Sequence, residues 1–535
     1  MSRKTRFILA LVVLAGLFGY RYWRDHHAAT NDASQAAAAT TAATPANAAG
    51  SDASAKSAPE PATDAPPAKP RMYGRIAFTP CTLAPQFGPA SVEAQCGSYE
   101  VAEDPAHPDG RRIKLNLAWV APDDDAEVAP DPVFMLAGGP GQSAVETYPQ
   151  VAPAFRDVLK HRNVVLVDQR GTGKSNPLQC DVGKDLPDDA GLDAVTAATA
   201  RCRDELSKSA DLRFYTTTDA VRDLDEVRQA LGAAQVDLVG ISYGTRVAQQ
   251  YAMRHPESTR AIVLDSVAPN SLVLGNEFAA NLERALDLQF GRCEQSSECV
   301  AAVGHPRAQL DALMAKLRAA PPLVRYRDSA TGESKEAPLT ADAVAGLMRL
   351  YAYMPLMSSV LPLQLHEAAQ GHYDGLMAMA RMLGDSVEGQ MAMGMQLSVI
   401  CSEDAFGLKP DPTQEGTLLG NQFSDFLGAQ CALWPKGAMP ADFHQPLRSD
   451  VPALVLEGEF DPVTPPRYGE EVVKTLPNGR LFVLKGQGHN VIGAGCMPKL
   501  FAQFLQSTDA KSLDGKCLDT LGYVPPFTSF NGWEP

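Results

Sequence analysis

Val236-Asp237-Leu238-Val239-Gly240-Ile241-Ser242-Tyr243-Gly244-Thr245 is the stretch whose reading decides the fold. A short apolar run leads into a serine enclosed by Gly-x-Ser-x-Gly. That is the pattern of a buried strand, a sharp turn with the serine at its tip, and a following helix. Such a turn strains the serine backbone, so the residues two places to either side must be small, and Gly240 and Gly244 meet that demand. The pattern is short enough to arise by chance, so its meaning depends on its surroundings.

Those surroundings alternate strands with helices. Ile113 to Ala121 alternates apolar and polar residues, as an early strand of a mixed sheet would. Val133-Phe134-Met135-Leu136, Val164-Val165-Leu166-Val167 and Ala261-Ile262-Val263-Leu264-Asp265 are continuous apolar runs, expected of strands buried on both faces. Thr217 to Leu231 has helical periodicity, with Asp219, Asp223 and Glu226 on its polar face. This order predicts an α/β fold with a mostly parallel, doubly wound sheet. From about Asn270 to Ser398 the strand signal nearly vanishes. Helical patterns take over at Glu277 to Phe290, Arg307 to Ala319, Ala341 to Leu350 and His366 to Leu383. Most of the sixteen methionines fall here. Methionine-rich helices ordinarily fill gaps in a core; an adaptable lid over an active site is the sharper reading. Strand-like runs resume at Ala453-Leu454-Val455-Leu456 and Leu481-Phe482-Val483-Leu484. The expected organisation is a core over residues 71–269, a helical cap over 270–398, and a core completed by 399–535.

A serine nucleophile needs a base, and the base an orienting carboxylate. In enzymes with this elbow the chain order is Ser, then Asp or Glu, then His, on loops after late strands. Asp461, in Gly458-Glu459-Phe460-Asp461-Pro462-Val463-Thr464-Pro465, follows the strand ending at Leu456. Of the ten histidines only His489, in Gly486-Gln487-Gly488-His489-Asn490, lies beyond it. Ser242, Asp461 and His489 are therefore the candidate triad. Alone, His489 reads as a surface histidine and Asp461 as a turn residue before proline. Their order, each just past a buried strand, argues for the triad. The oxyanion of a tetrahedral intermediate needs N–H donors. These are expected from Tyr243, directly after the serine, and from Ala137-Gly138-Gly139-Pro140-Gly141-Gln142-Ser143, with Gly139 as the donor and Gly138 as the alternate. Gly171-Thr172-Gly173-Lys174-Ser175 lacks the spacing of a phosphate-binding loop.

Bulk properties set limits. A chain of 535 residues with 45% hydrophobic content fills an elaborated core, and a formal net charge of −16 argues against nucleic acid or an anionic membrane surface as partner. Ten cysteines pair most simply in sequence order: Cys81 with Cys96, Cys180 with Cys202, Cys293 with Cys299, Cys401 with Cys431, Cys496 with Cys517. Sequence alone does not decide connectivity, and no spacing suggests zinc or another metal. Residues 1–27 read as an export signal: Ser2-Arg3-Lys4-Thr5-Arg6, an apolar stretch from Phe7 to Tyr20, then Arg21-Tyr22-Trp23-Arg24. A cleaved signal and an uncleaved anchor that tethers the protein to the inner membrane both fit. Either way the expected location is outside the cytosol, periplasmic or secreted, where disulfides persist. Residues 28–70, rich in Ala, Thr, Ser and Pro, are expected to be a disordered linker.

Gly138-Gly139-Pro140-Gly141, Asp168-Gln169-Arg170-Gly171-Thr172-Gly173-Lys174-Ser175, Gly240-Ile241-Ser242-Tyr243-Gly244-Thr245 and Gly458-Glu459-Phe460-Asp461-Pro462-Val463-Thr464-Pro465 together resemble the α/β-hydrolase family of proline iminopeptidases and tripeptidyl aminopeptidases. The resemblance runs from roughly Cys96 to Cys517. It implies an α/β-hydrolase fold with a helical cap, and a cofactor-free serine hydrolase acting on peptides with a free N-terminus. Proline iminopeptidases carry His-Gly-Gly-Pro-Gly where this chain has Ala137 before the glycines. With the cysteines and the export signal, that favours the secreted tripeptidyl-aminopeptidase branch. An aminopeptidase must also hold a protonated amine, and Glu403 or Asp404 is the expected anchor; solvated acids at a helix start are the plainer reading. Asp168 and Arg170 are expected to be a structural charge pair at a strand end. The competing functions are an esterase or amidase on non-peptide substrates and a catalytically silent, tethered binding protein.

Overall fold

Aliphatic and β-branched runs form the centre of the sheet because neither of their faces meets water. In the computed structural model, which describes residues 69–84, 91–122, 127–180, 190–328, 331–387 and 391–533, every residue of four such strands is buried. The expected export signal, and the linker up to residue 68, lie outside the described residues.

Before the helical insertion come β1 (Arg71–Tyr73), β2 (Ile76–Leu83), β3 (Val92–Ala102), β4 (Arg112–Val120), β5 (Val133–Leu136), β6 (Val164–Val167), β7 (Val236–Ile241) and β8 (Thr259–Asp265). Within it lie β9 (Leu323–Arg327) and β10 (Ser334–Pro338), and after it β11 (Ala453–Gly458) and β12 (Gly479–Leu484). Ten strands form one sheet in the order β1-β2-β3-β4-β6-β5-β7-β8-β11-β12. β1 to β4 pair antiparallel, as does β4 with β6. From β6 to β12 every pairing is parallel. Successive residues of β5 serve opposite faces: Phe134 and Leu136 join one apolar core, Val133 and Met135 the other. The parallel strands deliver their C-terminal ends to one edge, where ligand sites of open α/β sheets lie.

Local chemistry explains the element ends. The helix Thr217–Leu231 starts at a reciprocal capping box between Thr216 and Asp219 and stops at Gly232, whose φ of 74° only glycine adopts without strain. Asp223, expected on its polar face, is instead wholly buried against Arg170.

Between β8 and β11 helices dominate, and Leu282, Phe290, Leu313, Met314, Met348 and Met377 close a core of their own. Three details depart from expectation. The insertion contains the antiparallel hairpin β9–β10. The helix expected over His366 to Leu383 is two, Leu361–Ala369 and Asp374–Val387, separated by a turn with Gly371 at φ 94°. The expected re-entry at residue 399 falls inside the helix Met393–Glu403, whose Leu397, Val399 and Ile400 pack in the main core. All ten cysteines form disulfides, in the sequence-order pairing: Cys81–Cys96, Cys180–Cys202, Cys293–Cys299, Cys401–Cys431 and Cys496–Cys517. No helix among the described residues is long and apolar enough to cross a membrane.

Candidate active site

Ser242 sits where β7 turns into the helix Tyr243–Arg254, with φ 56° and ψ −124°. A serine holds such angles only if the surrounding structure over-determines them. The crowding here is severe. A Cβ on Gly240 would lie 2.4 Å from the carbonyl oxygen of Gly244, and one on Gly244 would lie 2.2 Å from that of Leu136. The Ser242 N–H donates to the carbonyl of Asp265 at 2.9 Å, tying the elbow to the end of β8. Tyr243 is the first residue of the helix, so its N–H has no intrahelical acceptor and sits at the positive end of the helix dipole. The Gly138-Gly139 loop abuts the serine: a Cβ on Gly138 would fall 3.1 Å from the Cβ of Ser242. The N–H of Gly139 makes no hydrogen bond among the described residues.

Asp461 follows β11 and is 2% exposed. Its Oδ1 accepts from the N–H groups of Val463 and Thr464, both at 2.8 Å. Its Oδ2 accepts from Thr464 Oγ1 at 3.0 Å and lies 2.7 Å from His489 Nδ1. The His489 side chain is 10% exposed. Its pKa is raised: burial opposes the charged ring, but the charge and hydrogen bond of Asp461 outweigh it, Asp265 adds to them, and Arg349 acts against them.

Two residues that sequence reasoning missed hold the histidine loop. Asp265, at the end of β8, accepts from the N–H of Val491 at 2.9 and 3.1 Å and from that of Ile492 at 2.9 Å. Burial raises its pKa to about 6, against those two donors. Ser266 Oγ accepts from the N–H of Asn490 at 2.7 Å. Asp265 thus bonds the elbow with its main chain and the histidine loop with its side chain. The available signal was a carboxylate closing an apolar run, the same signal that marks Asp168.

The cap reaches the same place. The His489 N–H donates to the carbonyl of Tyr353 at 2.9 Å, and the two rings meet edge to face at 5.1 Å. The Ala392 N–H donates to the carbonyl of Gly141 at 3.0 Å. One cap segment is therefore bonded to the histidine loop and another to the glycine loop.

Glu403 and Asp404 lie elsewhere than expected for an amine anchor. Both are completely buried. Glu403 accepts from the Thr217 N–H at 2.6 Å and from Thr217 Oγ1 at 2.9 Å. Asp404 pairs with Arg246 at 2.9 Å. Burial, with Asp404 beside it, raises the Glu403 pKa to about 8. Thr217 Oγ1 also lies 2.7 Å from the Tyr243 hydroxyl, so these acids brace the far side of the helix that follows Ser242. The expectation fails because long-range partners, invisible in sequence, bury them. Asp168 and Arg170 are structural, but do not pair with each other. Asp168 accepts from Ser143 Oγ at 2.6 Å and Asn116 Nδ2 at 2.8 Å, whereas Arg170 grips Asp223 through two bonds of 2.6 Å. Among the described residues no cluster of His, Cys, Asp and Glu is arranged to hold a metal ion.

Known proteins agree with this architecture. Residues 131–326 match a family model described as the alpha/beta hydrolase fold, and residues 417–517 match one described as TAP-like protein. Serine protease Hip1 of Mycobacterium tuberculosis is 25% identical over 490 residues, covering 84% of this chain and 92% of the relative. Tripeptidyl aminopeptidase of Streptomyces lividans is 28% identical over 248 residues, 42% of this chain and 46% of the relative. Proline iminopeptidase of Xylella fastidiosa is 32% identical over 136 residues, 25% of this chain and 32% of the relative. With its sheet order, its strained serine elbow and these two matched regions, the chain has an α/β-hydrolase fold, and its residues 417–517 are similar to TAP-like protein.

Proposed function

We propose that the protein is an exported serine peptidase that releases residues or short peptides from a free N-terminus. The observation that carries the chemistry is the 2.7 Å contact between His489 Nδ1 and Asp461 Oδ2, with Ser242 on an elbow bonded to Asp265, which also holds the histidine loop. Ser242 attacks the scissile carbonyl while His489 Nε2 takes its proton and then delivers it to the leaving amine. Asp461 keeps the other ring proton on Nδ1 and steadies the imidazolium. The Tyr243 and Gly139 N–H groups receive the oxyanion. Water, deprotonated by the same histidine, releases the acyl group.

A peptide is the favoured substrate because of the relatives' activities, and a chain end because of the roof. Tyr353 and Ala392 rest on both site loops, which favours an extended terminus over a loop of a folded protein. Five disulfides support a compartment outside the cytosol. The test pairs Ser242→Ala with peptidyl-coumarin substrates carrying free or acetylated N-termini. The wild type should cleave the free form and react with a fluorophosphonate probe, and the variant should do neither while remaining folded. Equal turnover of acetylated peptides, or a preference for short acyl esters, would return the reading to an endopeptidase or esterase.

A further inference from the structure

The helix Ala341–Ala352 ends at Tyr353, the residue whose carbonyl holds the His489 N–H. Arg349 lies one turn earlier, and positions i and i+4 share a helix face, so Arg349 is on the side of the helix that meets the site. Its guanidinium carbon is 4.5 Å from the ring centroid of Phe278 and 5.3 Å from that of Phe423. Those rings, 5.1 Å apart and tilted by 49°, come from different segments, so the fork is seated on an aromatic corner built by the fold. Contact with aromatic faces leaves the in-plane N–H edges of a guanidinium available.

Its lack of a partner is the informative part. In a chain with 63 acidic residues, Arg246 pairs with Asp404, Arg170 with Asp223 and Arg467 with Glu277. Arg349 makes no ion pair or hydrogen bond among the described residues and is only partly buried. Its charge is close enough to act on His489. A preorganised, unpaired guanidinium presents two parallel donors, the geometry that binds a carboxylate.

We propose that Arg349 is a specificity-determining residue that receives a carboxylate of the peptide substrate. Two sources share that chemistry: an Asp or Glu side chain near the scissile bond, and the C-terminal carboxylate of a short peptide. The proposal rests on the peptidase reading and names the substrate class within it.

The test is a set of peptides on one cleavable scaffold. One arm exchanges Asp or Glu for Asn or Gln at each position flanking the bond; the other exchanges a free C-terminal carboxylate for an amide. The wild type should favour a carboxylate-bearing member by about tenfold to a hundredfold, mostly through KM, as expected for one charged hydrogen-bonded contact. The arm that shows the preference identifies the source. Arg349→Gln should bring the ratio to about one, and Arg349→Lys, which keeps the charge but not the fork, should retain part of it. Fluorophosphonate labelling confirms that each variant is folded. An unchanged ratio in Arg349→Gln, or no preference in the wild type, overturns the proposal and leaves the peptidase reading standing. Failure of the wild type to cleave any of the peptides overturns both.

Discussion

Asp461→Asn keeps the shape of the side chain and changes one acceptor into a donor. The structure dictates which one. The N–H groups of Val463 and Thr464, both 2.8 Å from Oδ1, demand an acceptor there, so the amide oxygen must occupy that position. The amide nitrogen then takes the Oδ2 position, 2.7 Å from His489 Nδ1. It donates to Nδ1, which forces the ring proton onto Nε2, the atom that must accept the proton of Ser242. Thr464 Oγ1 can turn from donor to acceptor, so no buried group is orphaned and stability should fall by only about 1 kcal/mol. A wrong tautomer in a triad lowers kcat by about 10⁴, or roughly 5 kcal/mol at about 1.4 kcal/mol per tenfold. The assay is kcat and KM on a peptidyl-coumarin, with thermal melting in parallel. The expected result is a collapsed kcat, a KM changed little and a melt within a few degrees of wild type. A folded Asp461→Asn variant with kcat within tenfold of wild type would refute the triad.

Two further outcomes follow from the pKa shifts. Because Asp461 outweighs burial in raising the His489 pKa, kcat/KM should fall as pH drops through a value above the ordinary histidine value of about 6.5; an acid limb centred at or below 6.5 in a pH–rate profile would contradict this. The same shift stabilises the native state fully below the unfolded pKa, and that contribution is lost as pH rises through the raised one. Glu403, with a pKa of about 8 against an ordinary 4.5, retains in the native state a proton that the unfolded chain releases. Its contribution should therefore decline between about pH 4.5 and 8. Glu403→Gln should remove that slope, gaining on the wild type by on the order of a few kcal/mol from pH 5 to pH 8 in urea unfolding. A constant difference at the two pH values would mean that Glu403 is ionised in the folded protein.

What was readable in the chain was whatever local pattern controls. β5, β6, β7, β8 and β11 announce themselves as short apolar runs because both their faces are buried, and β12, an apolar run at the sheet edge, shows the same pattern although most of its residues are only half-buried. Asp461 and His489 could be picked out because each follows such a run and the chain holds no later histidine. β1 to β3 were illegible, since strands that face water on one side carry a diluted pattern; Val92–Ala102 is largely exposed or half-buried. The roles of Glu403 and Asp404 were misread because the partners that bury them, Thr217 and Arg246, are more than 150 residues away. Tyr353 and Arg349 gave no local sign, because what places them is the docking of the cap on the histidine loop.

That docking has a consequence for timing. The bond from the His489 N–H to the Tyr353 carbonyl makes the roof part of the mount for the proposed general base. Any movement that lifts this segment would also release the backbone of His489, the proposed proton acceptor. A form with the cap lifted would then be a poor hydrolase, competent again only with the Tyr353 carbonyl back on the His489 N–H. If the protein is the peptidase proposed above, this coupling would act as a safety catch: a protein touching the site with the cap lifted would meet a serine whose base is not yet set.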